Sequence, residues 1–119
     1  MKPIVRICLG LALSCGLSVP AAHAAPPAAF AACAACHSSD ASHGLGPSFL
    51  GVYGRKAAGA KGFTYSAAMK KAGLTWDDKS LDAFIADPQK AVPGNVMPFP
   101  GLPDAKQREE VIAYLKTLK

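Results

Sequence analysis

The chain has 119 residues, room for one domain, and a formal net charge of +5 from 13 basic and 8 acidic side chains. Its lysines are scattered along the sequence. A nucleic-acid binder would gather them into a denser stripe, so the charge points instead to mild attraction toward an acidic partner surface.

The first segment reads as a leader and not as fold. Lys2 and Arg6 make a basic start, Ile7 to Val19 is an apolar run, and Pro20 leads into Ala22-His23-Ala24. That order predicts a secretory signal peptide over residues 1–24, cleaved after Ala24. The apolar run falls short of the roughly 17–25 residues that span a bilayer, which argues against a retained anchor. Cys15 lies inside the run without a lipobox before it. Removing 1–24 takes Cys8 and Cys15 away and leaves Cys33 and Cys36. It also removes Lys2 and Arg6, so eleven basic residues face eight acidic ones, a net +3.

Residues 25–119 are expected to form a single all-α domain. Ala28 to Cys36 is Ala-rich and predicts a short helix ending at the cysteines. Ser38 to Gly62 is punctuated by glycine and proline and reads as a long loop, a length that usually serves a site. Ser66 to Ala72 predicts a second short helix, closed by Gly73. Thr75 and Asp78 stand at capping-box spacing before an apolar stripe of Leu81, Phe84 and Ile85, and Pro88 is expected to stop that helix. Ala91 to Pro103 is a Pro/Gly-stiffened loop. Asp104, with Gln107 three residues on, opens a last helix carrying Val111, Ile112, Leu115 and Leu118 on one face. No strand pattern or internal repeat stands out. Four or so short helices joined by long loops give a small core, and domains of that kind usually need a staple.

Cys33-Ala34-Ala35-Cys36-His37 supplies a candidate staple. A disulfide between residues so close would close a trivially small loop. A redox dithiol belongs in a βαβ context, which is missing. Structural zinc needs four ligands, and only His43 and carboxylates remain to complete a set. Covalent haem is the reading that fits: two thiols one turn apart add across two vinyl groups, and the following His37 lies beneath the iron. Buried haem would also fill the interior that short helices leave open.

For the opposite face of the iron, His23 leaves with the leader and His43 is only six residues from His37. Met69 lies in a helical stretch, where it reads as a surface or gap-filling residue. Met97 sits in the stiff loop VPGNVMPFPG and is the expected second ligand. His/Met ligation raises the haem potential and fills both axial sites, which suits electron transfer.

With CAACH, GLGPSFLGVYGRKA, GFTYSAAMKKAGLTW, VPGNVMPFPGL and EEVIAYLK in order, residues 25–119 resemble class I c-type cytochromes of the mitochondrial and small alphaproteobacterial kind. The resemblance implies the cytochrome c fold around one haem c. It implies that Pro47 accepts a hydrogen bond from the His37 ring through its carbonyl. Arg55, Tyr65 and Trp76 match residues at the inner propionate, Phe99 an aromatic at the exposed haem edge, and Tyr114 an aromatic packing the last helix on the first. Departures are also visible. Phe84 stands where many members carry a tyrosine that reaches the methionine sulfur. Asn95 replaces the usual threonine, with an amide that could reach a propionate. Gln89 and Val96 stand where docking lysines are common, while Lys90 remains. The implied function is a periplasmic single-electron carrier, not an enzyme, working between redox proteins of a respiratory chain, monomeric and without stable membrane insertion. Its rivals are a haem enzyme or ligand-binding protein with a labile sixth site, and a dedicated electron-accepting subunit of a periplasmic dehydrogenase.

Overall fold

The computed structural model describes residues 24–119; the leader expected over residues 1–24 lies, except for Ala24, outside the described residues. A 3₁₀ turn, Ala28–Phe30, runs into helix α1 (Ala31–Ala34), followed by α2 (Ala67–Lys71), α3 (Asp78–Ala86), α4 (Pro88–Ala91) and α5 (Ala105–Leu115). The extended pairing among the described residues is one antiparallel bridge between Lys56 and Thr75.

Helix α3 packs on both α4 and α5, and the 3₁₀ turn packs on α5. The last contact is aromatic: the Phe30 ring meets Tyr114 edge-on, centroids 4.6 Å apart. Leu81, Phe84 and Ile85 of α3 and Val111, Ile112 and Leu115 of α5 are buried, as spacing by three and four residues requires of helices sharing one core. The Gly51 amide donates to the Leu118 carbonyl at 2.8 Å and ties the long loop to the C-terminal end of the chain.

Three element boundaries differ from expectation. The first helix, expected over Ala28 to Cys36, opens as a 3₁₀ turn and its α-helical part closes at Ala34, before the second cysteine. The cap of α3 is Asp77 and not Thr75. Asp77 accepts from the Ser80 amide at 2.8 Å, and Ser80 Oγ accepts from the Asp77 amide at 2.9 Å. Thr75 is held extended by its bridge to Lys56, and the Trp76 amide donates to the Arg55 carbonyl at 2.9 Å, so the helix cannot start before that ladder ends. Pro88, expected only to end α3, does more. Helix α3 closes at Ala86, and Pro88 becomes the first residue of α4, whose cap is the Asp87 side chain. Proline lacks the N–H that a first helical residue would leave unpaired, and its ring restricts the residue before it.

Gly101 marks the tightest crossing of the fold. Its φ is +109°, and a Cβ there would collide with the Ala86 carbonyl. The adjacent Leu102 amide donates to the Ile85 carbonyl at 2.8 Å, clamping the returning loop to the end of α3. Arg108 completes the clamp from α5: Nη1 donates to the Leu102 and Pro103 carbonyls, and Nε to Asp82 at 2.6 Å.

Candidate functional site

Between the helices and the two long loops lies a cavity of about 390 Å³, lined almost wholly by apolar groups. Cys33, Cys36, His37, Pro47, Arg55, Tyr65, Trp76, Asn95, Met97 and Phe99 all lie on its wall, and Arg55 is the one charged side chain there. Its volume falls in the range of roughly 300–1,000 Å³ usual for small-molecule and cofactor sites.

The Cys33 carbonyl accepts from the amides of Cys36 (3.1 Å) and His37 (3.0 Å), so the turn that follows α1 brings both cysteines and the histidine to the cavity wall as one unit. Neither cysteine is in a disulfide. Burial pushes the Cys33 thiol up, partly offset by a backbone hydrogen bond. His37 is fixed on several sides. Its Nδ1–H donates to the Pro47 carbonyl at 2.7 Å, and Phe49 stacks on its ring at 4.3 Å and 15°. Gly46 lies so close that a Cβ there would strike the imidazole. A carbonyl can only accept, so Nδ1 carries the proton and Nε2 keeps its lone pair. Burial lowers the His37 pKa, against a smaller opposing effect of the Pro47 bond, which favours a neutral ring able to act as a ligand.

Met97 is held by the loop that carries it. Its amide donates to Asn95 Oδ1 at 3.0 Å, and both hydrogens of the Asn95 amide go to backbone, the Pro88 and Val92 carbonyls at 2.8 Å each. The Asn95 side chain therefore shapes the Met97 loop. Gln89 braces the same turn, donating to the Asn95 carbonyl (2.8 Å) and accepting from the Gly94 amide (3.2 Å).

Arg55 Nη1 donates to the Leu50 carbonyl and Nη2 to that of Ser48, while Nε is buried without a partner. An orphaned cationic donor in an apolar wall suits a ligand that is mostly hydrocarbon but carries an anionic group. Tyr65 accepts from the Ala60 amide through its hydroxyl, and Trp76 is buried against Phe84, centroids 5.1 Å apart. Met69 also reaches the cavity wall, more inward than its helical position suggested. His43 lies off that wall, with Nε2 on the Lys61 carbonyl and Nδ1 on the Ser48 amide. Among the described residues no three His, Cys, Asp or Glu side chains gather as a metal cluster.

The sequence reading missed Phe49, Phe63 and Gln89. Phe49 had a legible signal: an aromatic two residues after Pro47, on the loop that returns beside His37. Gln89 had none, because its bonds form only once α4 exists.

A macrocycle with anionic substituents, two thioether attachment points and an imidazole ligand fits this wall, and that combination defines a c-type cytochrome. Residues 25–119 match the Cytochrome c family. Cytochrome c2 iso-2 of Magnetospirillum molischianum is 51% identical over 94 residues, covering 78% of this chain and 97% of that protein. Cytochrome c2 of Rhodoblastus acidophilus is 50% identical over 92 residues, covering 76% and 86%. Among solved structures, cytochrome cH from Methylobacterium extorquens is 52% identical with a TM-score of 0.72, covering 75% of this chain and 91% of that one. The chain belongs to the cytochrome c family, has its fold, and carries one haem c on the Cys33–Cys36 pair as a monohaem electron carrier.

Proposed function

We propose that the protein is a periplasmic shuttle that moves single electrons between redox proteins, its iron held by His37 Nε2 on one side and the Met97 sulfur on the other. The haem supplies a one-electron Fe(III)/Fe(II) couple, so one electron enters from a donor protein and one leaves to an acceptor.

One observation carries this reading. His37 and Met97 share the wall of one apolar cavity with the cysteine pair, and each is separately anchored, His37 by Pro47 and Met97 by Asn95. Rigid anchoring lets both axial residues stay in place as the charge changes, which keeps reorganisation small and leaves no open position for a substrate. Arg55 Nε would meet the propionate side, with Tyr65 and Trp76 beside it on the wall. Phe99 and Cys33, both half-buried on the same wall, would stand at the haem edge through which electrons pass. Export by the leader at residues 1–24 completes the proposal. Among the described residues no helix is long and apolar enough to cross a membrane.

The optical spectrum of the ferric holoprotein tests the ligation. A low-spin spectrum with the weak red methionine–iron band is expected. A high-spin spectrum that shifts readily with cyanide would instead make the protein a ligand-binding haem protein.

A further inference from the structure

The two histidines of the 37–48 segment are joined through a single peptide group. The Pro47 carbonyl accepts from His37 Nδ1–H at 2.7 Å. The N–H of the same amide plane, that of Ser48, donates to His43 Nδ1 at 3.0 Å. His43 Nε2 in turn meets the Lys61 carbonyl at 2.8 Å. A backbone N–H can only donate and a carbonyl can only accept, so every proton in the chain is assigned: His43 carries its proton on Nε2 and offers its Nδ1 lone pair to Ser48.

We propose that His43 is a positioning residue that tunes His37 through the Pro47–Ser48 peptide; this rests on His37 being the iron ligand. Conjugation across the amide couples its two ends. Donating the Ser48 N–H to an imidazole nitrogen polarises the amide and makes the Pro47 oxygen a stronger acceptor. A stronger acceptor gives His37 more imidazolate character and makes it a better donor to iron, which favours Fe(III). The peptide is not free to swing out of this role. Ser48 is buried, its Oγ donates to the Asp40 carbonyl and accepts from the Leu50 amide, and its carbonyl accepts from Arg55. His43 lies off the cavity wall, where it meets the wall residue Phe63 edge-on at 5.5 Å, and its hydrogen-bonded link to His37 runs through this amide.

The test is the reduction potential of holoprotein carrying His43→Phe, which keeps a ring but has no acceptor nitrogen, beside His43→Gln, whose amide can both accept from Ser48 and donate to Lys61. His43→Phe should displace the Fe(III)/Fe(II) equilibrium toward Fe(II) by about twofold, the scale on which one hydrogen bond polarises the next. His43→Gln should stay near the wild type. Ser42→Ala, which removes the hydroxyl's bond to Asp40 in the same loop but none in the relay, should loosen the loop and leave the potential unmoved. If His43→Phe does not retain haem, His43→Met, a poor acceptor, is read in its place. An unchanged potential in a variant that keeps the wild-type low-spin spectrum overturns the relay alone. A wild-type spectrum without nitrogen ligation overturns the ligand assignment instead.

Discussion

Asn95 Oδ1 accepts the Met97 amide at 3.0 Å, while the amide nitrogen of the same side chain donates to the Pro88 and Val92 carbonyls. A buried amide two residues before the thioether thus ties its loop to α4. Asn95→Ala leaves the half-buried Met97 amide without its partner, at about 1–3 kcal/mol for a group left unsatisfied, and frees the Pro88 and Val92 carbonyls, which keep only their backbone donors. The expected outcome is a methionine–iron band that disappears at lower temperature than the helical circular dichroism. Parallel thermal scans of the two signals check it, and coincident melting at the wild-type temperature would count against this role.

The chain without haem is expected to be largely unfolded. Without the macrocycle the apolar wall of this open cavity faces water, and losing the burial of several hundred Å² of apolar surface costs on the order of 10 kcal/mol at roughly 25 cal/mol per Å². That is comparable with the whole stability of a small domain, about 5–15 kcal/mol. A cooperative thermal transition in haem-free protein would contradict this.

Docking should depend little on salt. The two most exposed large apolar side chains of the described residues, Leu45 at 84% and Val96 at 78%, both stand at the cavity mouth, whose wall has Arg55 as its one charge. Electron exchange with a partner should change by less than about threefold as ionic strength rises from ~0.01 to ~0.15 M, while the Debye length falls from about 30 to about 8 Å. Introducing Leu45→Lys and Val96→Lys together should make the rate with an acidic partner fall steeply over that range. Stopped-flow kinetics at several salt concentrations decide the matter.

Acid stability should follow a few surface carboxylates. The Ser42 hydroxyl holds Asp40 below the usual carboxylate range, the Ser80 amide does so for Asp77, and the Lys116 ammonium for Asp78. A folded-state pKa below the unfolded one adds stability above the unfolded value, near 3.9, which is lost as pH falls through the folded value. Lys116 has the opposite sign: Asp78 raises its pKa, so its contribution persists below its ordinary value and fades only at higher pH. The carboxylate contribution should therefore be level from neutral pH down to about 4 and fall below that, on top of a decline that begins near the ordinary imidazole value of about 6.5, because the folded His37 pKa is lowered. Asp77→Asn, which keeps a capping oxygen but cannot titrate, should flatten the acid limb while nearly preserving stability at pH 7. Denaturant midpoints against pH measure both.

Much of the site was legible in the order of residues. Cys33, Cys36 and His37 are adjacent in sequence, and the chemistry that needs them is local. Met97 was expected at the site from the stiffness of the prolines and glycines around it, and it lies on the cavity wall. The helices with clean apolar stripes, α3 and α5, were legible for the same reason. What escaped was set by contacts between distant segments. The start of α3 moved to Asp77 because Thr75 is held by Lys56, nearly twenty residues earlier. Gln89, at a position suited to surface docking, turns its amide to the Met97 loop because Pro88 opens a helix there. The peptide linking His37 to His43 could not be foreseen, since spacing does not say which backbone groups two side chains will share.

The most direct measurement is the red charge-transfer band of the ferric holoprotein, compared across wild type, Met97→Leu and Met69→Leu. The band should be present in the wild type, absent in Met97→Leu, which should also bind cyanide readily and show a lower potential, and unchanged in Met69→Leu. A band that survives Met97→Leu, or one that is missing from the wild type, would contradict the ligation on which this account stands.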